Sequence, residues 1–584
     1  MSAPRASRLR LLSRLGAAAL LALSSVVAAQ PAPEGASAWR ERPVARARHD
    51  MVVTANPQAT DAALRMLRRG GSAADAAIAA QLVLGLVEPQ SSGPGGGAFL
   101  LYHDARKGRL VAYDGRETAP AAARPDRFLD ANGRPLAFPQ ALTGGLSTGV
   151  PGVMRLLDAV HRAHGRLPWR VLFEPAIALA ERGFIVSPRL ATLLAAERPF
   201  GQPRARAYFF DAAQRPLHLG ATVRNPAYAR TLRILAAQGA VAVYRGPLAE
   251  DIVATLAAAS PQRHDLTLAD LAAYRVVARD AVCARYRGHR VCGPPPPSSG
   301  GYAVLEILKL LEPYDIAAMG PASFWSVHFM SEAGRLAYAD RSFVADPAYA
   351  PLAVDLLDAD YLMRRSRAIR ATATLGRAAP GAPPSRATHL AWVEGGAPEA
   401  PSTSQLSIVD REGNALSMTT SVEYAFGSRL MTAGGYLLNN QLTDFAFVPQ
   451  EDGRPVANRV EGGKRPRSAM APMIVYDRSG RVFMITGSAG GPSIINYVAQ
   501  SLLAVIDWKL DAQAAVSLPN FGSRNGPTEL ERGTAVAALA PRLRALGHEV
   551  TELELASGTQ VIVRTAQGWQ GGTDPRRDGA ARGD

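Results

Sequence analysis

The apolar positions of the chain fall into two regimes. From about residue 150 to 280, Ala, Leu and Arg recur at helical spacing. Beyond residue 402 the pattern becomes short strand-like runs rich in Thr and Ser, Gln405–Asp410 and Ala415–Val422, joined by a turn over Arg411–Asn414. Upstream, Met51–Thr54 reads as a first strand. A helix is predicted from an N-cap at Thr60 to Arg69, stopped by Gly70-Gly71, and a second from about Ser72 to Val87, stopped before Pro89. Arg109–Asp114 reads as a strand, Thr267 as an N-cap, and Tyr302–Leu311 as a helix after the Pro-rich loop Gly293–Gly301. Later elements are a strand over Arg481–Thr486, an apolar helix over Ile494–Leu510, and a strand QVIVR at 560–564. Residues 30–48 are expected to be disordered, and the Pro/Ala/Gly-rich stretch 370–402 to be a linker ending at Thr403. Strands on both sides of that linker imply one α/β unit spanning it.

Length and composition allow a large core. The chain has 584 residues, 47% of them apolar, enough for several domains or one large α/β unit. The formal charge of +15 comes almost wholly from Arg alternating with Ala, Asp and Glu. No dense basic run with interleaved aromatics occurs, so an Arg-rich surface is the better account than nucleic-acid binding. Arg5, Arg8, Arg10 and Arg14 precede an apolar segment, Leu15–Ala29, with Val27 and Ala29 placed for cleavage. This is the pattern of a secretory signal over residues 1–29, shorter than the roughly 20 residues needed to span a bilayer. A periplasmic or secreted protein without a membrane span is expected. The two cysteines, Cys283 and Cys292, flank a hairpin pattern that sets them side by side. In an exported protein a disulfide is expected, two buried thiols being the alternative, and two Cys with one nearby His are too few for zinc. No cofactor or metal is implied.

Two stretches carry candidate chemistry. The first, SSGPGGGAFLLYHD, invites a phosphate-loop reading, but no Lys-Ser/Thr follows and a strand rather than a helix comes next. Its glycines fit a close backbone approach instead. The second is Ser402-Thr403-Ser404, at the linker's end and directly before a strand. A Thr hydroxyl is a poor nucleophile, but a Thr at a chain start also carries an α-amine of pKa about 7.7–8.0, a general base at neutral pH. Cleavage between Ser402 and Thr403 would create that start, and the hydroxyl itself, attacking the Ser402 carbonyl, would supply the means.

Nine segments in order extend this reading: PQSSGPGGGAF, DGRETAP, STGVPG, PPPPSSGGYA, TSQLSIVD, GYLLNNQLTDF, GKRPRSAMAP, TGSAGGPSI and GGTDPRRDG. From about residue 48 to the end the chain resembles the γ-glutamyltranspeptidases (glutathione hydrolases). The resemblance implies the αββα sandwich of N-terminal nucleophile hydrolases, built jointly by a large subunit (30–402) and a small one (403–584) that remain paired as a heterodimer after self-cleavage. It implies γ-glutamyl substrates such as glutathione, with water, amino acids or peptides as acceptors. By position Thr403 aligns with the nucleophile and Ser421 with a Thr that contacts the nucleophile's amine and hydroxyl. Arg116 aligns with the Arg that pairs with the donor α-carboxylate, a bidentate task suited to guanidinium. Asp444 aligns with the carboxylate for the α-amino group, with Gln441 beside it. Ser468 aligns with one of two serines on the α-carboxylate, and Gly490 and Gly491 with oxyanion-hole donors.

The chain also departs from the family pattern. Gln405 stands where a His is common, Glu423 where Asn is frequent, and Ala469 in place of the second serine. The loop Ala446–Gly463 is short and has no Tyr of its own. These changes leave the amidase chemistry in place and bear on which donor is taken. Two other readings stay open: a glutaryl- or cephalosporin-type acylase, and a binding homologue without catalysis.

Overall fold

Ser404–Val409 is the strand about which the chain is built. Its residues are buried throughout, and it pairs antiparallel with Met51–Thr54 on one side and Ala415–Ser421 on the other. The structure is a computed structural model that describes residues 33–260, 264–385 and 402–584. The leader read over residues 1–29 and residues 386–401 of the predicted linker lie outside the described residues.

Two seven-stranded sheets form the centre. The first runs, in spatial order, Ala580–Gly583, Met51–Thr54, Ser404–Val409, Ala415–Ser421, Gly97–Asp104, Arg109–Gly115 and Val277–Arg279. The second runs Ala45–Ala47, Gly568–Thr573, Gln560–Thr565, Val482–Gly487, Met473–Tyr476, His289–Gly293 and Val282–Tyr286. Side chains alternate across each strand. Leu406, Ile408, Leu416 and Met418 join the core formed with helices Pro57–Arg68 and Ala73–Val87. Val409, Ala415, Met51 and Val53 meet Ile474, Ile485 and Ile562 between the sheets. Met473, Val475 and Met484 pack outward on helices Gly300–Leu311, Phe324–Asp340 and Ile494–Ile506. The order of layers is therefore helix, sheet, sheet, helix: the αββα sandwich.

Most predicted elements appear within a residue or two; two corrections have local causes and a third a long-range one. The helix predicted to start at Thr60 starts at Pro57, with Asn56 as N-cap accepting from the Gln58 N–H at 3.0 Å. Proline at the first helical position supplies the helical φ and needs no donor, while the Thr60 hydroxyl bonds Thr54 Oγ1 at 2.8 Å. The helix from Ile494 ends at Ile506 rather than Leu510, because Trp508 N–H turns back to Leu503 O and Lys509 takes φ 56°. Residues 33–48 are ordered. Ala45–Ala47 pairs with the strand Gly568–Thr573, and the Glu34 carboxylate is buried against Arg189 and Arg577. Composition hid this, since burial of one carboxylate by distant arginines leaves no local pattern.

The hairpin read around the cysteines forms Val282–Tyr286 and His289–Gly293, with Cys283 opposite Cys292 and the two joined by a disulfide. It closes a short loop at a sheet edge far along the chain from Thr403, a stabilising device of about 2 kcal/mol. Replacing both cysteines by Ser is expected to lower the thermal midpoint of unfolding. Reductant should lower it in the parent and leave the double variant unchanged.

Candidate active site

Thr403 is placed by the strand it precedes. Leu406 and Ile408 face the helices, so by alternation Ser404 also faces that layer, while Thr403, Gln405 and Ser407 face the second sheet. A pocket of about 270 Å³ opens where Thr403 emerges, lined by Arg116, Thr403, Ser421, Glu423, Gln441, Asp444, Ser468, Ala469, Met470, Gly491 and Ile494. Eight candidate site residues named from the sequence thus meet in one cavity, with Ala469 beside them. Gly490 lies beside it in a left-handed conformation, φ 124°, where an added Cβ would stand 2.6 Å from the Tyr497 ring. Glycine at 490 follows from both constraints. The short turn Gly491–Ser493 leads directly into the helix Ile494–Ile506, so that helix presents its positive N-terminal end towards the pocket.

Ser421 ends the neighbouring strand. Its hydroxyl donates to the carbonyl of Ser402 at 2.6 Å and accepts the Glu423 N–H at 2.8 Å. The carbonyl preceding Thr403 is thus already polarised by a hydrogen-bond donor. Glu423 is held by the Asn440 side-chain amide, and Glu423 itself has φ 83°, an uncommon conformation for a non-glycine residue. Gln405, which the resemblance set apart in the sequence, is buried and points between the sheets. Its amide donates to Leu406 O and Ser417 Oγ and accepts from Thr419 Oγ1 at 2.6 Å.

Arg116 and Asp444 are joined to each other. The Arg116 Nη2 donates to Asp444 and to Arg467 O (2.7 Å), and its Nε donates to Pro466 O at 3.2 Å. Asp444 also accepts from Gln441 Nε2 at 2.7 Å. The Nε and Nη2 edge of the guanidinium is committed to protein acceptors. Ser468 is fixed by backbone bonds, its N–H to Pro297 O and its carbonyl to Ser299. Ala469 presents only a methyl group.

Several contributors had no clear mark in the sequence. Gln90 O and Ser91 Oγ hold the Ser402 side chain at 2.7 and 3.0 Å, and only their place in a glycine-rich segment hinted at a role. The loop Ala446–Gly463 has no Tyr, yet Tyr349 reaches it from elsewhere in the chain and donates to Gly462 O at 2.7 Å. Among the described residues one group has metal-ligand types, His328, Glu332 and His548. It is better described as a hydrogen-bonded cluster. His328 Nδ1 meets His548 Nε2 at 2.7 Å, too close to leave room for an ion, and the Arg335 guanidinium lies against Glu332 and His548.

The fold defined by these layers, with a hydroxyl residue at the head of a central strand facing a polar pocket, is that of the N-terminal nucleophile hydrolases. The family model for γ-glutamyltranspeptidase matches residues 59–583, and the chain belongs to that family. It is 34% identical to the glutathione hydrolase proenzyme of Escherichia coli, covering 97% of both chains. It is 32% identical to the acylase ACY 1 proenzyme of Pseudomonas sp. strain V22, covering 90% of this chain and 92% of that one. Among solved structures, the cephalosporin acylase of Bacillus halodurans superposes with a TM-score of 0.79 at 27% identity, covering 93% of this chain and 97% of that one.

Glu117, next to Arg116, is wholly buried, and neither of its carboxylate oxygens has a hydrogen-bond partner among the described residues. Burial pushes its pKa up to about 8, with Arg116 only partly opposing the rise. The native state therefore holds a proton that the unfolded chain releases near its ordinary value. Stability from this group is complete below about pH 4.5 and declines as pH rises towards 8. Glu117→Gln is expected to match the parent at pH 5 and to exceed its thermal midpoint at pH 8. A pH series of melting curves reads this directly.

Proposed function

We propose that this enzyme matures by cutting its own Ser402–Thr403 bond and then uses Thr403 to cleave γ-glutamyl amides. The observation that carries the reading is the meeting of Thr403, Arg116 and Asp444 in one pocket at the head of a central strand. The proenzyme names of its relatives support the processing step. In maturation, Thr403 Oγ1 bonds to the Ser402 carbonyl carbon, the C–N bond breaks, and the hydroxyl proton passes to the Thr403 nitrogen. Water then splits the ester, leaving a carboxylate on Ser402 and a free amine and hydroxyl on Thr403. The products are a large subunit, 30–402 once the leader is removed, and a small subunit, 403–584, retained as a heterodimer. Export to the periplasm or the medium follows from the leader sequence.

In turnover the Thr403 amine takes the hydroxyl proton as Oγ1 attacks the γ-carbonyl. Gly490 and Gly491 N–H groups stabilise the oxyanion. The leaving amine receives the proton, and a γ-glutamyl ester remains on Thr403. Water, or the amine of an amino acid or peptide, then takes the acyl group and returns a proton to Oγ1. Arg116 and Ser468 face the donor α-carboxylate, while Asp444, Gln441 and Glu423 face its ammonium.

The acylase reading is tested by charge. A glutaryl donor has the terminal carboxylate but no ammonium. It would satisfy Arg116 and leave Asp444 and Glu423 facing a third carboxylate in a site from which water is largely excluded, a costly arrangement. A γ-glutamyl donor matches both signs.

On a denaturing gel the wild-type protein is expected to give two bands split before Thr403, and Thr403→Ala one. An unsplit wild type defeats the mechanism. The split enzyme should release aniline from a γ-glutamyl anilide at least about tenfold faster, by kcat/KM, than from the glutaryl analogue. A glutaryl preference would exclude Asp444 as the ammonium site.

A further inference from the structure

We propose that the turn Glu88–Ser92 clamps the scissile bond from both sides, and that Glu88 and Ser404 are positioning residues for self-cleavage. This rests on the reading that the Ser402–Thr403 bond is the one cut.

The turn begins where Pro89 stops the helix Ala73–Val87. It is closed by Ser91 and Ser92 N–H groups on the Glu88 carbonyl, at 2.9 and 3.2 Å. On the acyl side of the bond, Gln90 O accepts the Ser402 hydroxyl and Ser91 Oγ bonds the same oxygen. On the amine side, the Ser404 hydroxyl donates to Glu88 Oε2 at 2.7 Å. A third set of bonds ties down the segment that carries Ser421, because Val422 N–H donates to Ser91 O and Phe426 N–H to Gln90 O, both at 3.0 Å. One five-residue turn therefore fixes the residue before Thr403, the residue after it, and the chain that brings a hydroxyl to the Ser402 carbonyl. All of these residues from Glu88 to Ser91, with Ser402 and Ser404, are buried.

The clamp is anchored at long range. Glu88 Oε2 also accepts from Arg189 Nη1 at 3.0 Å, and Arg189 grips both oxygens of Glu34 through Nε and Nη2, at 2.6 and 2.9 Å. Arg189 and Glu88 are wholly buried and Glu34 nearly so. Glu88 Oε1 has no partner among the described residues. A core selected for stability alone gains little from such a network, since well-packed apolar residues of similar volume are often as stable. Its geometric effect is specific, however: the only side-chain hydrogen bond of Ser404 runs to Glu88 among the described residues. Self-cleavage draws on no energy of substrate binding. The fold alone must bring Thr403 Oγ1 and the Ser402 carbonyl carbon to attacking distance, and misplacement by about 1 Å can cost about 100-fold in rate.

The test uses the full chain isolated before maturation is complete. Conversion to two subunits is followed on denaturing gels for the wild type, Ser404→Ala and Ser404→Thr. Melting curves of each and KM of each split enzyme are also measured. Ser404→Ala should slow conversion roughly 10- to 100-fold, with the melting midpoint and KM unchanged, and Ser404→Thr, which keeps the hydroxyl, should restore most of the rate. Glu88→Gln, which keeps an acceptor but loses the charge facing Arg189, should give an intermediate rate. Conversion of Ser404→Ala at the wild-type rate, or slowing that Thr does not relieve, overturns the clamp. Wild type cut before Thr403 with Ser404→Ala equally fast defeats the clamp alone. Wild type never cut there defeats the underlying reading.

Discussion

The structure depends on one strand being enclosed on every side. Ser404–Val409 is hydrogen-bonded along both edges and buried on both faces. A strand so placed has one register and no freedom to slide, because a shift by one residue would exchange its helix-facing and sheet-facing side chains. Leu406 and Ile408 are committed to the helical layer, which leaves Thr403 on the face that opens to the pocket. The position of the candidate nucleophile is a consequence of core packing several residues away.

The same enclosure accounts for the unusual density of buried polar groups. At the head of the strand, apolar contact gives way to hydrogen bonds among Gln405, Ser417 and Thr419 on the face towards the second sheet, to the ion pair of Arg116 with Asp444 at the pocket, and to that of Arg189 with Glu88 on the helical side. Charges out of water are tolerated only when paired, so each residue there constrains its partners. Glu117 is the exception that the environment resolves by protonation, since burial favours its neutral form. This polar region sits between two apolar cores, and water exclusion makes the charges in the pocket act strongly on whatever enters it.

The family relationship and the pocket bear on different questions. Relatives with both glutathione hydrolase and acylase names share this architecture across most of the chain, so the fold does not choose between acyl groups. The choice falls to a few side chains around Thr403. Two carboxylates and one guanidinium line the pocket, with a methyl group at Ala469.

Local patterns in the sequence determined the strands, the helix ends marked by Ser72 and Thr267, the cysteine hairpin and most of the residues that line the pocket, because each depends on neighbours in the chain or on an ordered motif. Thr403, Arg116 and Asp444 were legible in this way. Only the tertiary structure decided what lies between distant segments. It joined Arg116 to Asp444, turned Gln405 away from the pocket, brought Tyr349 to the loop before Gly463, and tied Glu34 through Arg189 and Glu88 to Ser404. Those pairings link residues tens to hundreds of positions apart. Their energy comes from shared burial and leaves no periodic trace along the chain. The sequence determined which groups are candidates for the chemistry; the packing of two sheets decided where each one points.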